Sequence, residues 1–228
     1  MRHGDPDYKT DSLTELGKSQ SKALAESFDL RHIDGIYSSS MNRAIATAQP
    51  LAERKNLDIN ILPWLAEIGE EGYTNWPDGK RRFLITLPPA LLRTGKNYAF
   101  DYEHACEASG LNDTRIDSVC QSVEREGNAF LASLGYIWEG DHYQCSTECR
   151  QRIAVFSHNG LLRLWLSILL HIPLHIMFSS FTMTHTGVTV IRFDDIGENI
   201  VPVCLTFSDM SHIMNGELPF IHRNKDML

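Results

Sequence analysis

The sequence predicts an α/β domain in which a mainly parallel central sheet is flanked by helices on both faces, with a helical insertion at about residues 73–150. Three observations carry this reading. Short runs rich in β-branched residues, at 33–37, 59–62 and 152–157, alternate with segments whose apolar residues recur at helical spacing. The last of these runs, Arg152-Ile153-Ala154-Val155-Phe156-Ser157, is almost continuously apolar, as a strand covered on both faces must be. Between Tyr73 and Arg150 turn residues (Asn75, Pro77, Asp78, Gly79, Pro88, Pro89, Gly95, Gly110) break the alternation and mark an insertion. A chain of 228 residues, 43% of them hydrophobic, suffices for one well-packed domain of this kind.

Taken in order, Asp5-Pro6-Asp7-Tyr8 is turn-like, since Pro6 has no N–H to give to a ladder. Ser12 with Glu15 has the spacing of a capping box, and Thr14 is the alternative N-cap. The helix behind it sets Leu16, Ala23, Leu24 and Phe28 on one face against Lys18, Gln20, Lys22 and Glu26. The strand at 33–37 ends in Ser38-Ser39-Ser40, and a helix starts near Met41, carrying Arg43 in its first turn and Pro50 as an expected weak point or kink. The strand at 59–62 leads into Pro63-Trp64-Leu65-Ala66-Glu67-Ile68-Gly69-Glu70-Glu71-Gly72, with three glutamates in five residues. Within the insertion the clearest helix spans 116–134. Lys80, Arg81, Arg82, Arg93 and Lys96 read as solvated charges rather than ligands. His158 follows the strand at 152–157, and Asn159-Gly160 turns the chain into a helix beginning near Leu161. Strands at 186–193 and 200–207 form an expected hairpin at the edge of the sheet, and Asp209-Met210-Ser211-His212 closes the pattern.

Composition removes several classes of function. A net charge of −8 disfavours broad contact with nucleic acid or acidic membrane, while leaving room for a local cationic pocket. The most apolar stretch, 161–178, is interrupted by Arg163, His171, Pro173 and His175, which fits a buried helix and its loop rather than a membrane span. Five thinly spread cysteines give no disulfide framework, so reduced thiols and a cytoplasmic location are expected, with no signal peptide at the start. His142, Cys145 and Cys149, with His104 and Cys106 further off, lack the second closely spaced ligand pair that a zinc site needs, and no metal or cofactor is expected.

Five stretches belong together: Met1-Arg2-His3-Gly4, Leu13-Thr14-Glu15-Leu16-Gly17, Tyr37-Ser38-Ser39-Ser40-Met41-Asn42-Arg43-Ala44, Leu65-Ala66-Glu67 and Val155-Phe156-Ser157-His158-Asn159-Gly160. In this combination the chain resembles the histidine phosphatase superfamily, the phosphoglycerate-mutase-like proteins, over most of its length and least between 73 and 150. The resemblance implies that His3 is a nucleophile forming a phosphohistidine. It implies that Arg2, Arg43 and His158 bind the phosphoryl group, that His158 is also the second catalytic histidine, and that Glu67 is the general acid. Gly69 and Gly72 depart from the family offset, which keeps Glu70 and Glu71 open as substitutes. The segment 73–150 corresponds to the family's variable cap, and Asp209 to His212 to its closing architectural element. Members have a hydrophobic strand running into Arg-His-Gly, and here only Met1 and Arg2 precede His3, so the first central strand is expected to be missing.

The implied reaction is hydrolysis of small phosphomonoesters. Asp5-Pro6-Asp7-Tyr8-Lys9 lacks the Glu-Ser and Trp-Asn pairs that mutases share after Arg-His-Gly, which favours a phosphatase. A phosphoglycerate-type mutase is the near alternative, and a non-catalytic phosphate-binding module the distant one. The expected partner is a small phosphorylated substrate, with a homodimer left open.

Overall fold

A computed structural model of the chain describes residues 1–75, 79–87, 89–92, 115–145, 151–196 and 199–214. In chain order it contains β1 (Pro6–Asp7), β2 (Ser12–Leu13), α1 (Glu15–Glu26), β3 (Gly35–Ser38), α2 (Asn42–Lys55), β4 (Ile59–Ile61), β5 (Tyr73–Asn75) and β6 (Arg81–Phe83). There follow α3 (Pro89–Leu92), α4 (Ile116–Ser133), β7 (Tyr136–Trp138), β8 (Tyr143–Cys145), β9 (Ile153–Phe156), α5 (Asn159–Leu169), α6 (Leu174–Ser180), β10 (Val188–Ile196), β11 (Asn199–Asp209) and α7 (Ser211–Met214).

The parallel part of the sheet runs β4-β3-β9, with Ile36 opposite Ile59 and Ala154. The first residues extend it. Arg2 forms a parallel bridge with Ser157, His3 N–H donates to Ser157 O at 3.0 Å, and Ser157 N–H donates to Met1 O at 3.0 Å. On their other side Thr186 N–H donates to Arg2 O at 3.1 Å. Residues 1–3 therefore stand in a strand's place between β9 and the approach to β10. No strand precedes β1 among the described residues, and the single bridge at Arg2 sets the register of His3.

Alternation along β9 explains the two-sided core. Ala154 and Phe156 pack with Leu24, Phe28, Ile36, Ala48 and Leu51 beneath α1 and α2. Val155 packs the other way, onto a cluster built from Leu65, Ile116, Val123, Leu161, Leu164 and Phe178 of the α4–α5–α6 side. Each such side chain, fully buried, contributes about 1.5–3 kcal/mol. Thr14, not Ser12, caps α1, accepting from Gly17 N–H at 3.1 Å, because Ser12 is already committed to the β1–β2 pair. α2 runs through Pro50 to Lys55 and stops at Asn56, which takes the left-handed conformation. The apolar stretch at 161–178 becomes α5 and α6, and among the described residues no helix is long and apolar enough to cross a membrane.

Two features differ from expectation. β10 and β11 form the expected hairpin, but it belongs to a separate four-stranded antiparallel sheet, β10-β11-β8-β7, in which β11 pairs with β8. β11 has 11 residues, enough for its start to reach β8. Cys145, at the end of β8, is disulfide-bonded, against the expectation of reduced thiols throughout, whereas Cys120 and Cys204 are thiols outside any disulfide. His104, Cys106, Cys149, Arg93 and Lys96 lie outside the described residues.

Candidate active site

Close backbone approach places His3. A Cβ on Gly17 would stand 2.2 Å from Asp5 O, and one on Gly4 2.8 Å from Gly17 O, so the loop after His3 lies directly on the first turn of α1. Gly4 N–H donates to Thr47 Oγ1 at 2.9 Å and Asp5 N–H to Gln20 Oε1 at 2.8 Å, tying the loop to α2 and α1. His3 Nδ1 lies 2.7 Å from Gly4 O. A carbonyl can only accept, so Nδ1 carries the proton and Nε2 keeps its lone pair. Burial, then Arg2 and Arg43, hold the His3 pKa down to about 3 against the opposing pull of the Gly4 bond. The imidazole is neutral at physiological pH.

His158 is the N-cap residue of α5, at the end of β9, with its ring 5.0 Å from that of His3. Ser39 Oγ accepts from Met41 N–H at 3.2 Å and lies 2.8 Å from His158 Nε2. With the hydroxyl donating to Nε2, His158 bears its own proton on Nδ1. Burial, then the neighbouring His3, Arg43 and Arg2, lower its pKa to about 2.

The two arginines are held from outside the histidine pair. Arg2 donates through Nη1 to Met183 O at 2.6 Å. Arg43, only 8% exposed, donates through Nη1 to Asp11 and through Nη2 to Met41 Sδ at 3.1 Å. Arg2 Nε, Arg43 Nε and His158 Nδ1 are buried donors with no acceptor among the described groups.

Of the three glutamates only Glu67 is hydrogen-bonded to the first turn of α5, beside His158. Ser157 Oγ donates to Leu65 O at 2.6 Å and ties the acidic loop to the end of β9. The Glu67 carboxylate accepts from Leu161 N–H at 2.9 Å, Ile68 N–H at 3.1 Å and Gly160 N–H at 3.2 Å. Burial raises its pKa even though these bonds and Arg2 pull the other way. A side chain at residue 160 would intrude, since a Cβ there would stand 2.6 Å from Glu67 Oε1. Glu70 pairs instead with Arg81 at 2.6 Å and Glu71 with Arg115 at 3.4 Å, at the surface. A cleft of about 350 Å³ opens beside Glu67, lined by Trp64, Glu71, Ser118, Ser122 and Leu161 among others.

Residues 1–82 match the model of the histidine phosphatase superfamily (branch 1), a span that holds the arginine–histidine–glycine start, Arg43 and Glu67. The match covers 82 of the chain's 228 residues, and over that part the chain is similar to the histidine phosphatase superfamily. It is 36% identical over 107 residues to phosphoserine phosphatase 1 of Hydrogenobacter thermophilus, covering 43% of this chain and 48% of that protein. The chain thus matches about half the length of that curated relative. Phosphoserine phosphatase of Entamoeba histolytica, solved with 3-phosphoglyceric acid, superposes with a TM-score of 0.61 at 21% identity, over 92% of this chain and 95% of that one. A mycobacterial glucosyl-3-phosphoglycerate phosphatase does so at 0.60 and 23% identity, over 92% and 97%. These structures share their α/β fold with this chain.

Beside the superfamily pattern stands a residue the sequence reading passed over. The His185 ring is 5.7 Å from that of His3, and His185 Nδ1 is 3.6 Å from Asp5 Oδ1. Thr186 has φ 56°, an unusual conformation for a β-branched residue, just where the chain turns His185 inward. The only local signal was a histidine just ahead of a strand, too weak to stand out.

The buried histidines make stability depend on pH in a stated direction. Their folded pKa values, about 3 for His3 and about 2 for His158, lie below the unfolded value of about 6.5. The unfolded chain binds more protons in that interval, so their contribution is complete above pH 6.5 and is lost as pH falls, at about 1.4 kcal/mol per pH unit for each histidine. Glu67, shifted upward, has the opposite sign: it costs stability as pH rises through its raised pKa. Tm is expected to fall from pH 6.5 to pH 5 less steeply in His158→Gln than in the unaltered chain. Parallel curves would show that His158 is not held neutral by the fold.

Proposed function

We propose that this protein is a phosphatase that hydrolyses small phosphomonoesters through a phosphohistidine on His3, without a metal ion. The observation that carries this reading is the set of three buried donors, Arg2 Nε, Arg43 Nε and His158 Nδ1, without acceptors and grouped about a neutral histidine. Buried donors left unpaired are costly, and a tetrahedral dianion supplies the acceptors they lack. The arginines take the charge-stabilising part that a metal plays elsewhere.

In the proposed sequence His3 Nε2 attacks phosphorus while the bond from phosphorus to the ester oxygen breaks. Glu67 gives its proton to the departing alkoxide, for which burial and the upward pKa shift suit it. Water then attacks the phosphohistidine, Glu67 takes its proton, the phosphorus–nitrogen bond breaks and inorganic phosphate leaves. His158 donates to a phosphoryl oxygen from Nδ1. The segment 73–150 acts as the cap of a single domain, its cleft beside Glu67 receiving the alcohol. Relatives named as phosphoserine and glucosyl-3-phosphoglycerate phosphatases support hydrolysis over isomerisation. The substrate is then a small phosphorylated molecule rather than a nucleic acid, in keeping with the charge of −8.

The test is phosphate release from p-nitrophenyl phosphate in the presence of a chelator, with isomerisation of 3-phosphoglycerate assayed alongside. Release without isomerisation is expected. Isomerisation exceeding release would make the protein a mutase, and neither reaction would leave only phosphate binding.

A further inference from the structure

The hairpin β1–β2 carries a loop, Tyr8 to Asp11, that no step above uses. Asp11 sits in it with φ 47°, a left-handed conformation that aspartate tolerates better than most residues but does not favour. Its carboxylate does two things in that position. Oδ1 accepts from Arg43 Nη1, and Oδ2 accepts at 2.8 Å from the N–H of Asn42, the first residue of α2. Met41, the N-cap residue of α2, gives that helix no side-chain cap, so Asp11 is the group that anchors its first turn. Tyr8, 65% exposed, places its ring 5.5 Å from the Arg43 guanidinium carbon and also interacts with Arg2. The loop itself is braced from within, since Asp7 accepts from Lys9 N–H and from Thr10 Oγ1, both at 3.0 Å.

With one N–H of Nη1 given to Asp11 and one of Nη2 to Met41 Sδ, the guanidinium is held against rotation, and the buried Nε–H together with the second N–H of each terminal nitrogen is left for a ligand. We infer that Asp11 is a positioning residue: it fixes the Arg43 fork, relative to both α2 and the histidine pair, in the orientation that receives a phosphoryl group. The inference rests on the phosphatase reading above. A planar, bidentate donor loses much of its value when free to turn, so the effect falls on phosphate affinity. The opposite role is also open to test, because a carboxylate on Arg43 could instead compete with the substrate for it.

The test compares Asp11→Asn and Asp11→Gly with the unaltered chain, reading KM and kcat for p-nitrophenyl phosphate, the inhibition constant of inorganic phosphate, and Tm. Asparagine suits the left-handed conformation and keeps the shape while removing the charge. Glycine removes the backbone strain and the carboxylate together. For both variants KM and the phosphate inhibition constant are expected to rise about tenfold, with kcat changed less than about threefold. Tm should fall by a few degrees at most in Asp11→Asn, and in Asp11→Gly relief of the left-handed backbone should offset part of the lost anchor. Unchanged phosphate inhibition would overturn the inference, and tighter inhibition would replace it with the competing-anion role. An unaltered chain that neither turns over the ester nor binds phosphate would remove the phosphatase reading itself and this inference with it.

Discussion

Replacing His3 with alanine is expected to lower phosphate release from p-nitrophenyl phosphate by more than about 10³-fold, the scale seen when a covalent nucleophile is removed. Three separable features support that proposed role for His3. Gly4 O fixes the proton on Nδ1, burial and the two arginines keep the ring neutral, and the bridge between Arg2 and Ser157 sets its place at the sheet's end. The variant should keep the circular dichroism of the unaltered chain, since the backbone bonds of residues 1–3 do not involve the imidazole. Activity within tenfold of the original would move the nucleophile elsewhere, and His185, 5.7 Å away, would be the first place to look.

The second large effect concerns Glu67 and depends on the ester. Glutamine keeps the shape but has no proton to exchange. p-Nitrophenolate leaves readily without protonation, whereas an alkoxide does not. Glu67→Gln is therefore expected to lose about 10²–10⁴-fold in kcat for alkyl phosphomonoesters. With p-nitrophenyl phosphate, phosphohistidine formation should slow less than about tenfold. Pre-steady-state release of p-nitrophenol isolates that first step from hydrolysis of the intermediate. Equal losses for both esters would show that Glu67 acts by holding the first turn of α5, whose N–H groups it accepts, rather than by moving a proton.

Much of this site was legible in the sequence because its parts are local. Ser39 through Arg43 mark a strand end passing into a helix, and His158-Asn159-Gly160 does the same, so each functional group could be assigned to an element before the elements were assembled. Glu67 could be named among its neighbours only through the family pattern. What separates it from Glu70 and Glu71 in the fold is contact with the N-terminus of α5, 93 residues away from it in sequence. The unread parts depend on pairings at longer range. Residues 1–3 look too short for a strand until Val155 to Ser157 are placed beside them, the Met1 ammonium donating to Val155 O at 2.7 Å across a separation of 154 residues. His185 gains meaning only from Asp5 at the other end of the chain, and the hairpin β10–β11 only from β8. Asp11 lies in a stretch that reads as a plain polar turn, and nothing in its spacing from Arg43 announces the contact.

The most direct test of the account is to trap the covalent intermediate. The protein is mixed briefly with a phosphomonoester labelled in its phosphoryl group, quenched in alkali, digested, and the label located by mass spectrometry. An alkali-stable, acid-labile phosphate on His3 is the predicted result, absent from His3→Ala. Turnover with the label on another residue, or with no phosphoenzyme under conditions where Glu67→Gln slows hydrolysis of the intermediate, would contradict it.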